Sequence, residues 1–109
     1  MLGYISVVKQ RTKPEYTDEY IKIFKEMSIK DIQGIRRRSL IQTDENNFVG
    51  VLEYDDISSL VEAQDTLVSF LDRLRHCLVA VDDEGNVTEA ISGTAVSYTH
   101  LRAHETDYY

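Results

Sequence analysis

The stretch Ile32–Asp56, IQGIRRRSLIQTDENNFVGVLEYDD, decides how the chain folds. Gly34 opens a strand that runs to about Gln42. Thr43-Asp44-Glu45-Asn46-Asn47 is a polar turn, and Phe48–Tyr54 is a second β-favouring run, so the segment predicts a hairpin. Asp55, Asp56, Ser58 or Ser59 can cap a helix directly after it, and Ser59-Leu60-Val61-Glu62 has the capping-box pattern. Leu60, Ala63, Leu67, Phe70, Leu71, Leu74 and Leu78 then recur at helical spacing, which is the strongest periodic signal in the chain.

Working outward from the hairpin, Leu2–Arg11 holds Tyr4, Ile5, Val7 and Val8 and reads as a well-buried strand. Thr12-Lys13-Pro14-Glu15 marks a helix start, with a capping-box pattern and Pro in the first turn. Tyr16, Tyr20, Ile23, Phe24 and Met27 form the core stripe of that helix, which is expected to end near Lys30. Asp83-Glu84-Gly85-Asn86 is a turn before a weaker last strand, Val87–Ala95. A competing pairing joins Leu78–Val81 to Val87–Ala90 as a local hairpin.

The order is β-α-β-β-α-β, an α+β ferredoxin-like arrangement with two helices on one face of an antiparallel sheet. Alternation puts Tyr4 and Val8 opposite Ile5 and Val7, and Phe48, Leu52 and Tyr54 opposite Val49 and Val51. Both faces are therefore apolar, and the helices can cover only one. The other predicts a homodimer packed sheet against sheet.

Composition narrows the function classes. A chain of 109 residues makes one layered domain. Twelve Lys+Arg against nineteen Asp+Glu give a net charge of −7, which lacks the positive field that draws proteins to nucleic acid or anionic lipid. No apolar run approaches a membrane span, and MLGYISVVKQ has no signal-peptide character, so the chain reads as cytoplasmic. The lone Cys77 agrees with a reducing compartment. Gly-rich phosphate loops, paired Cys for zinc and aromatic-basic stripes for nucleic acid are missing from the sequence.

The chain changes character at its end. Val96–Thr106, VSYTHLRAHET, matches the translation of a transposon-type sequencing adapter over all its residues, so the expected native domain is 1–95 and residues 96–109 are read as a non-native, disordered tail. His100 and His104 with Glu105 imitate a metal motif. The zinc-protease pattern, however, needs Glu directly after the first His, where Leu101 stands. Without the tail the balance stays acidic and His76 is the single His.

A first strand ending in KQRTKPEY, the hairpin of IQGIRRRSLIQTDENNFVGVLEYDD, a long Leu-striped helix and a closing ISGTAV together resemble the antibiotic biosynthesis monooxygenase-like domains of the dimeric α+β barrel superfamily. The likeness covers roughly Leu2–Ala95. It implies oxidation of an aromatic or quinol-type small molecule, often without metal or flavin, in a pocket between sheet and helices; no cofactor is expected. The superfamily also holds heme-degrading enzymes, dismutases, stress proteins and domains with no known reaction. Heme degradation in this group relies on an Asn in the first strand with Trp and His in the second helix. Here that strand has no Asn, the chain has no Trp, and only His76 is available. The alternative to an enzyme is a non-catalytic dimeric module that binds a small apolar ligand.

Individual residues offer two readings each. Arg36-Arg37-Arg38 is the only dense cationic cluster, and alternation sends Arg36 and Arg38 to one face. An inward Arg would bind a carboxylate or phenolate, or stabilise an enolate or peroxide anion as oxygen reacts; the plain reading is a dimer salt bridge or a solvated edge strand. Tyr54 is a pocket hydroxyl or a core ring, as are Tyr16 and Tyr20. His76 is the one candidate general base. Counting about 100° per residue places it on the solvent side of an ideal helix. Ser69, Asp72 and His76 share that side, but Ser69 and His76 lie about 10 Å apart along it, which excludes a triad. Cys77 reads as a small buried hydrophobe with no His on its own face.

Overall fold

The computed structural model describes residues 3–30 and 32–97; the adapter-like tail from residue 98, with His100, His104 and Glu105, lies outside the described residues. Strand β1 is Tyr4–Thr12, helix α1 Thr17–Glu26, β2 Ile35–Gln42, β3 Asn47–Tyr54, helix α2 Ile57–Leu74, β4 Leu78–Val79 and β5 Glu89–Thr94. The sheet is antiparallel in the order β2-β3-β1, with β4 and β5 following one another along the far side of β1. The ferredoxin-like order is therefore present, with its fourth strand in two pieces.

A self-contained turn causes that division. Asp82 accepts from the amides of Glu84 and Asn86 and from Asn86 Nδ2, while Val81 N donates to Asn86 O, so the segment closes on itself and leaves the edge of β1. Gly85 takes φ 86° there, which glycine adopts without a Cβ penalty. The expected Val87–Ala95 strand is shortened accordingly. β4 and β5 pair with β1 rather than with each other, so the local-hairpin alternative is not adopted.

Register sorts the sheet into two faces. Rows such as Leu40–Gly50–Val8–Ala90 and Arg38–Leu52–Ser6–Ser92 face the helices. Ser39–Val51–Val7–Ile91 and Ile41–Val49–Lys9 face away. Ile91 and Ile41 are exposed at 68% and 48%, so the outer face carries uncovered apolar surface as the alternation predicts. The core lies on the helix side, where Tyr20, Met27, Phe48, Leu74, Cys77 and Leu78 pack together and Ile32, Tyr54 and Ala63 form a second cluster.

The start of α1 differs from the sequence pattern, whereas α2 takes one of the caps that the pattern offered. Thr12 does not cap α1; it is buried at the end of β1, and its hydroxyl bonds Thr17 Oγ1 at 2.8 Å and Asn46 O at 3.4 Å. A 3-10 turn, Pro14–Tyr16, precedes α1, and α1 ends at Glu26 rather than Lys30 because Met27 is already extended. Asp56 caps α2, accepting from Ser59 N at 2.9 Å. Gly34 fits beside that cap: at φ 84°, an added Cβ would stand 2.2 Å from Ser59 Oγ. No helix among the described residues is long and apolar enough to cross a membrane.

Candidate functional site

Between the inner face of the sheet and the two helices lies a cavity of about 280 Å³. Val8, Leu52, Phe70 and Leu71 give it apolar walls, and Arg38 is the only charged side chain among its described lining residues. Three buried polar atoms without a hydrogen-bond partner belong to residues that line it: Arg38 Nη1, Tyr54 OH and Thr88 Oγ1. Native structures pair nearly all buried polar atoms, so three unpaired ones around one cavity leave hydrogen-bonding capacity that a ligand could take up.

Arg38 is built for such a role. Its Nη2 donates to Met27 O at 2.8 Å and Phe24 O at 3.3 Å, carbonyls at the end of α1, and its guanidinium lies 4.5 Å from the centre of the Phe24 ring. The helix end and the aromatic face both favour a cation there. No carboxylate pairs with it among the described residues. Burial lowers its pKa from the ordinary arginine value, yet arginine remains charged in proteins. The result is a fixed cation with one arm unpartnered at an apolar cavity, the arrangement that binds a carboxylate or phenolate.

Tyr54 ends β3 fully buried against the Ile32 and Ala63 cluster, and burial raises its phenol pKa, so the hydroxyl keeps its proton. Thr88 stands just before β5 and shares the cavity with Ala90 and Ser92. Other polar groups at this face pair with one another: Tyr20 OH donates to Gln10 Oε1 at 2.6 Å, and the Ser6 and Ser92 hydroxyls bond at 2.7 Å.

The structure brings together Arg38 and Tyr54 of the sequence-predicted residues and leaves out two others. A bulge between Ile35 and Arg37 breaks the alternation that was to send Arg36 inward with Arg38. Arg36 instead pairs with Asp55 at 2.8 Å and Glu53 at 3.6 Å, which hold its pKa up, Asp55 first. His76 does not line the cavity: it lies in a 3-10 turn, Arg75–Cys77, with its Nε2 2.5 Å from Glu19 Oε2. Asp72 pairs with Arg75 rather than His76, and Ser69 donates to Asp65 O, so the three imitating a triad are separately engaged. Thr88 was missed, although the 88, 90, 92 alternation would have placed it inward once β5 was paired with β1. His76 Nε2 and Cys77 Sγ, on adjacent residues of that turn, come within 3.4 Å, a contact that the face-by-face helix count did not include.

No protein-family model matches the chain, and no curated protein matches it. Solved structures do. A dimeric ferredoxin-like protein from an uncultured marine organism is 13% identical with TM-score 0.70, over 94% of this chain and 95% of that one. SnoaB, a cofactor-independent oxygenase from Streptomyces nogalater, solved as a point mutant, is 16% identical with TM-score 0.65, over 87% and 95%. A monooxygenase from Streptomyces coelicolor in complex with nanaomycin D is 13% identical with TM-score 0.67, over 93% and 94%. Identities this low speak for architecture alone: the chain shares the ferredoxin-like fold of these proteins.

Proposed function

We propose that the chain is a small dimeric monooxygenase that oxidises an aromatic or quinol-type molecule in the cavity between sheet and helices, without a bound cofactor. The observation that carries this reading is Arg38 Nη1, a buried cationic donor with no partner, beside the Tyr54 and Thr88 hydroxyls in an apolar cavity. About 280 Å³ is at the small end of ligand cavities and suits a compact fused-ring compound. The similar folds of a cofactor-independent oxygenase and of a monooxygenase holding nanaomycin D support the chemistry.

The proposed reaction needs only substrate and dioxygen. Arg38 favours the ionised substrate, lowering the pKa of a phenol or enolisable carbonyl as its proton leaves to water. The electron-rich anion reduces oxygen, and the resulting peroxide forms at a ring carbon. Loss of water from that hydroperoxide leaves a new carbonyl, so a CH₂ becomes C=O with one oxygen atom inserted and the other released as water. Tyr54 donates to the peroxide or carbonyl oxygen. His76 was the expected base; its place beside Glu19, away from the lining, gives it no contact with this cavity.

The test is oxygen uptake by the purified full chain with dithranol or a hydroquinone. The expected result is catalysed uptake that falls at least about tenfold, or 1.4 kcal/mol, in Arg38→Ala. A second reading has its own support: the described lining residues include no carboxylate or imidazole to act as base, as suits a module that only binds. Tight binding of the same compounds with no uptake favours that module. Heme degradation, the remaining alternative, is dismissed if heme titration fails to shift a Soret band.

A further inference from the structure

Outside the cavity, one cluster of chemistry-bearing side chains is unused by this reading. Glu19 in the first turn of α1 meets His76 and Cys77 of the 3-10 turn after α2, and one donor atom from each lies within 4.8 Å of the others. His76 Nε2 is 2.5 Å from Glu19 Oε2, Cys77 Sγ is 3.4 Å from His76 Nε2, and Cys77 Sγ donates to Glu19 Oε2 at 3.6 Å. The backbone under them is fixed, because Lys13 N donates to Cys77 O at 2.8 Å, and Tyr16 sets its ring edge-on to His76.

This arrangement resembles a Cys-His-Glu nucleophile relay only by composition. A relay orients the imidazole through one ring nitrogen and reaches the nucleophile through the other. Here Glu19 and Cys77 both meet the same Nε2, so the three atoms converge on a point instead of forming a line. The thiol is also fully buried and pushed up to about 11, chiefly by burial, which is the opposite of an activated nucleophile.

We propose that Glu19 Oε2, His76 Nε2 and Cys77 Sγ form a binding site for a zinc-class divalent cation, with a fourth position left to water. Zinc bonds of about 2.3 Å to sulfur and about 2.0–2.2 Å to nitrogen and oxygen, at tetrahedral angles, separate the donors by about 3.4–3.6 Å. The two sulfur distances, 3.4 and 3.6 Å, already have that spacing. Only the Glu19–His76 pair must open, by about 0.9 Å, and both of these side chains are half exposed and free to swing. The thiolate and imidazole select a borderline-soft ion over magnesium or calcium. Lys13 and Lys22 stand close enough to act on the cluster and oppose a cation, so affinity rests on the thiolate that the metal itself would create by displacing the thiol proton.

Cobalt(II) titration of the full chain tests the site, because Cys77 is the only cysteine and a thiolate-to-cobalt charge-transfer band reports it alone. The expected result is one cobalt per chain with that near-ultraviolet band and the intense visible bands of tetrahedral cobalt, both abolished by equimolar zinc. Glu19→Gln and His76→Gln, at exposed positions that leave the fold intact, weaken cobalt binding at least about tenfold. Cobalt bound without the thiolate band, as at the histidines of the tail, overturns the proposal. So does a band whose midpoint is unchanged in both variants.

Discussion

Arg38 and Tyr54 each present one buried polar atom without a partner to the cavity, and single substitutions separate the role proposed for that atom from folding. Tyr54 OH has no partner in the folded chain, whereas Tyr20 OH holds Gln10. Tyr54→Phe is therefore expected to leave stability unchanged or raise it by about 1 kcal/mol, since it removes an unsatisfied buried hydroxyl, while weakening ligand binding. Tyr20→Phe is expected to destabilise by about 1–2 kcal/mol by stranding the Gln10 amide. Urea unfolding of the two variants checks the contrast, which fails if Tyr54→Phe is the more damaging. Asp44 and Asp82 belong to the same scale. Amide hydrogen bonds hold both carboxyls below the usual aspartate range, led by the Asn46 amide for Asp44 and the Asn86 side chain for Asp82. A depressed folded pKa means stabilisation present near neutrality and lost as pH falls through the carboxylate range. Between pH 7 and pH 3 the thermal midpoint of Asp44→Asn is expected to drop less than that of the parent chain. Strand alternation, a local rule, offered Arg38 and Tyr54 as candidates but did not say which sheet face the helices cover; for Arg36 the rule itself fails, because a bulge interrupts it.

At the scale of elements, the junction of the hairpin with α2 sets how the cavity is closed. Asp56 caps the helix, Gly34 passes over Ser59 with positive φ, and Asp55 N donates to Gly34 O at 2.8 Å. Asp56→Ala is expected to cost about 1 kcal/mol. Gly34→Ala is expected to cost more, since it combines left-handed strain with a Cβ placed against the Ser59 side chain. Chemical unfolding ranks the two, and equal costs would contradict this account of the junction. The strand and helix order was readable because hydrophobic period and turn residues are local. The early end of α1 was not: Arg38 takes up the Phe24 and Met27 carbonyls from a strand distant in sequence, and that contact appears only after folding. The turn was read at Asp83–Asn86, without Asp82, whose carboxylate closes it, and that it would split the last strand depended on pairing with β1.

The whole molecule has one sheet face covered by helices and one that is not. Val7, Val51 and Ile91 lie in one row across the outer face, with Val49 and Ile41 in the next. An uncovered apolar row of this kind is the surface that a second copy of the chain would bury. Sedimentation of the full chain at micromolar concentration is expected to give twice the chain mass, and Val51→Lys, which puts a charge at the centre of the row, to give the monomer. A monomeric parent chain would contradict the sheet-to-sheet dimer. The alternating strands made the second apolar face legible. The Glu19–His76–Cys77 cluster was illegible because Glu19 and His76 are 57 residues apart and on different elements.

An aromatic anion bound in the cavity beside Arg38, as proposed, would show itself in the ionisation of a bound hydroxynaphthoquinone. Followed by its visible absorption, the bound chromophore is expected to titrate at lower pH than in water with the parent chain. With Arg38→Met, which keeps the apolar stem and removes the charge, that downward shift is expected to vanish. An identical titration in the two proteins, or no binding to the parent chain, would contradict the account.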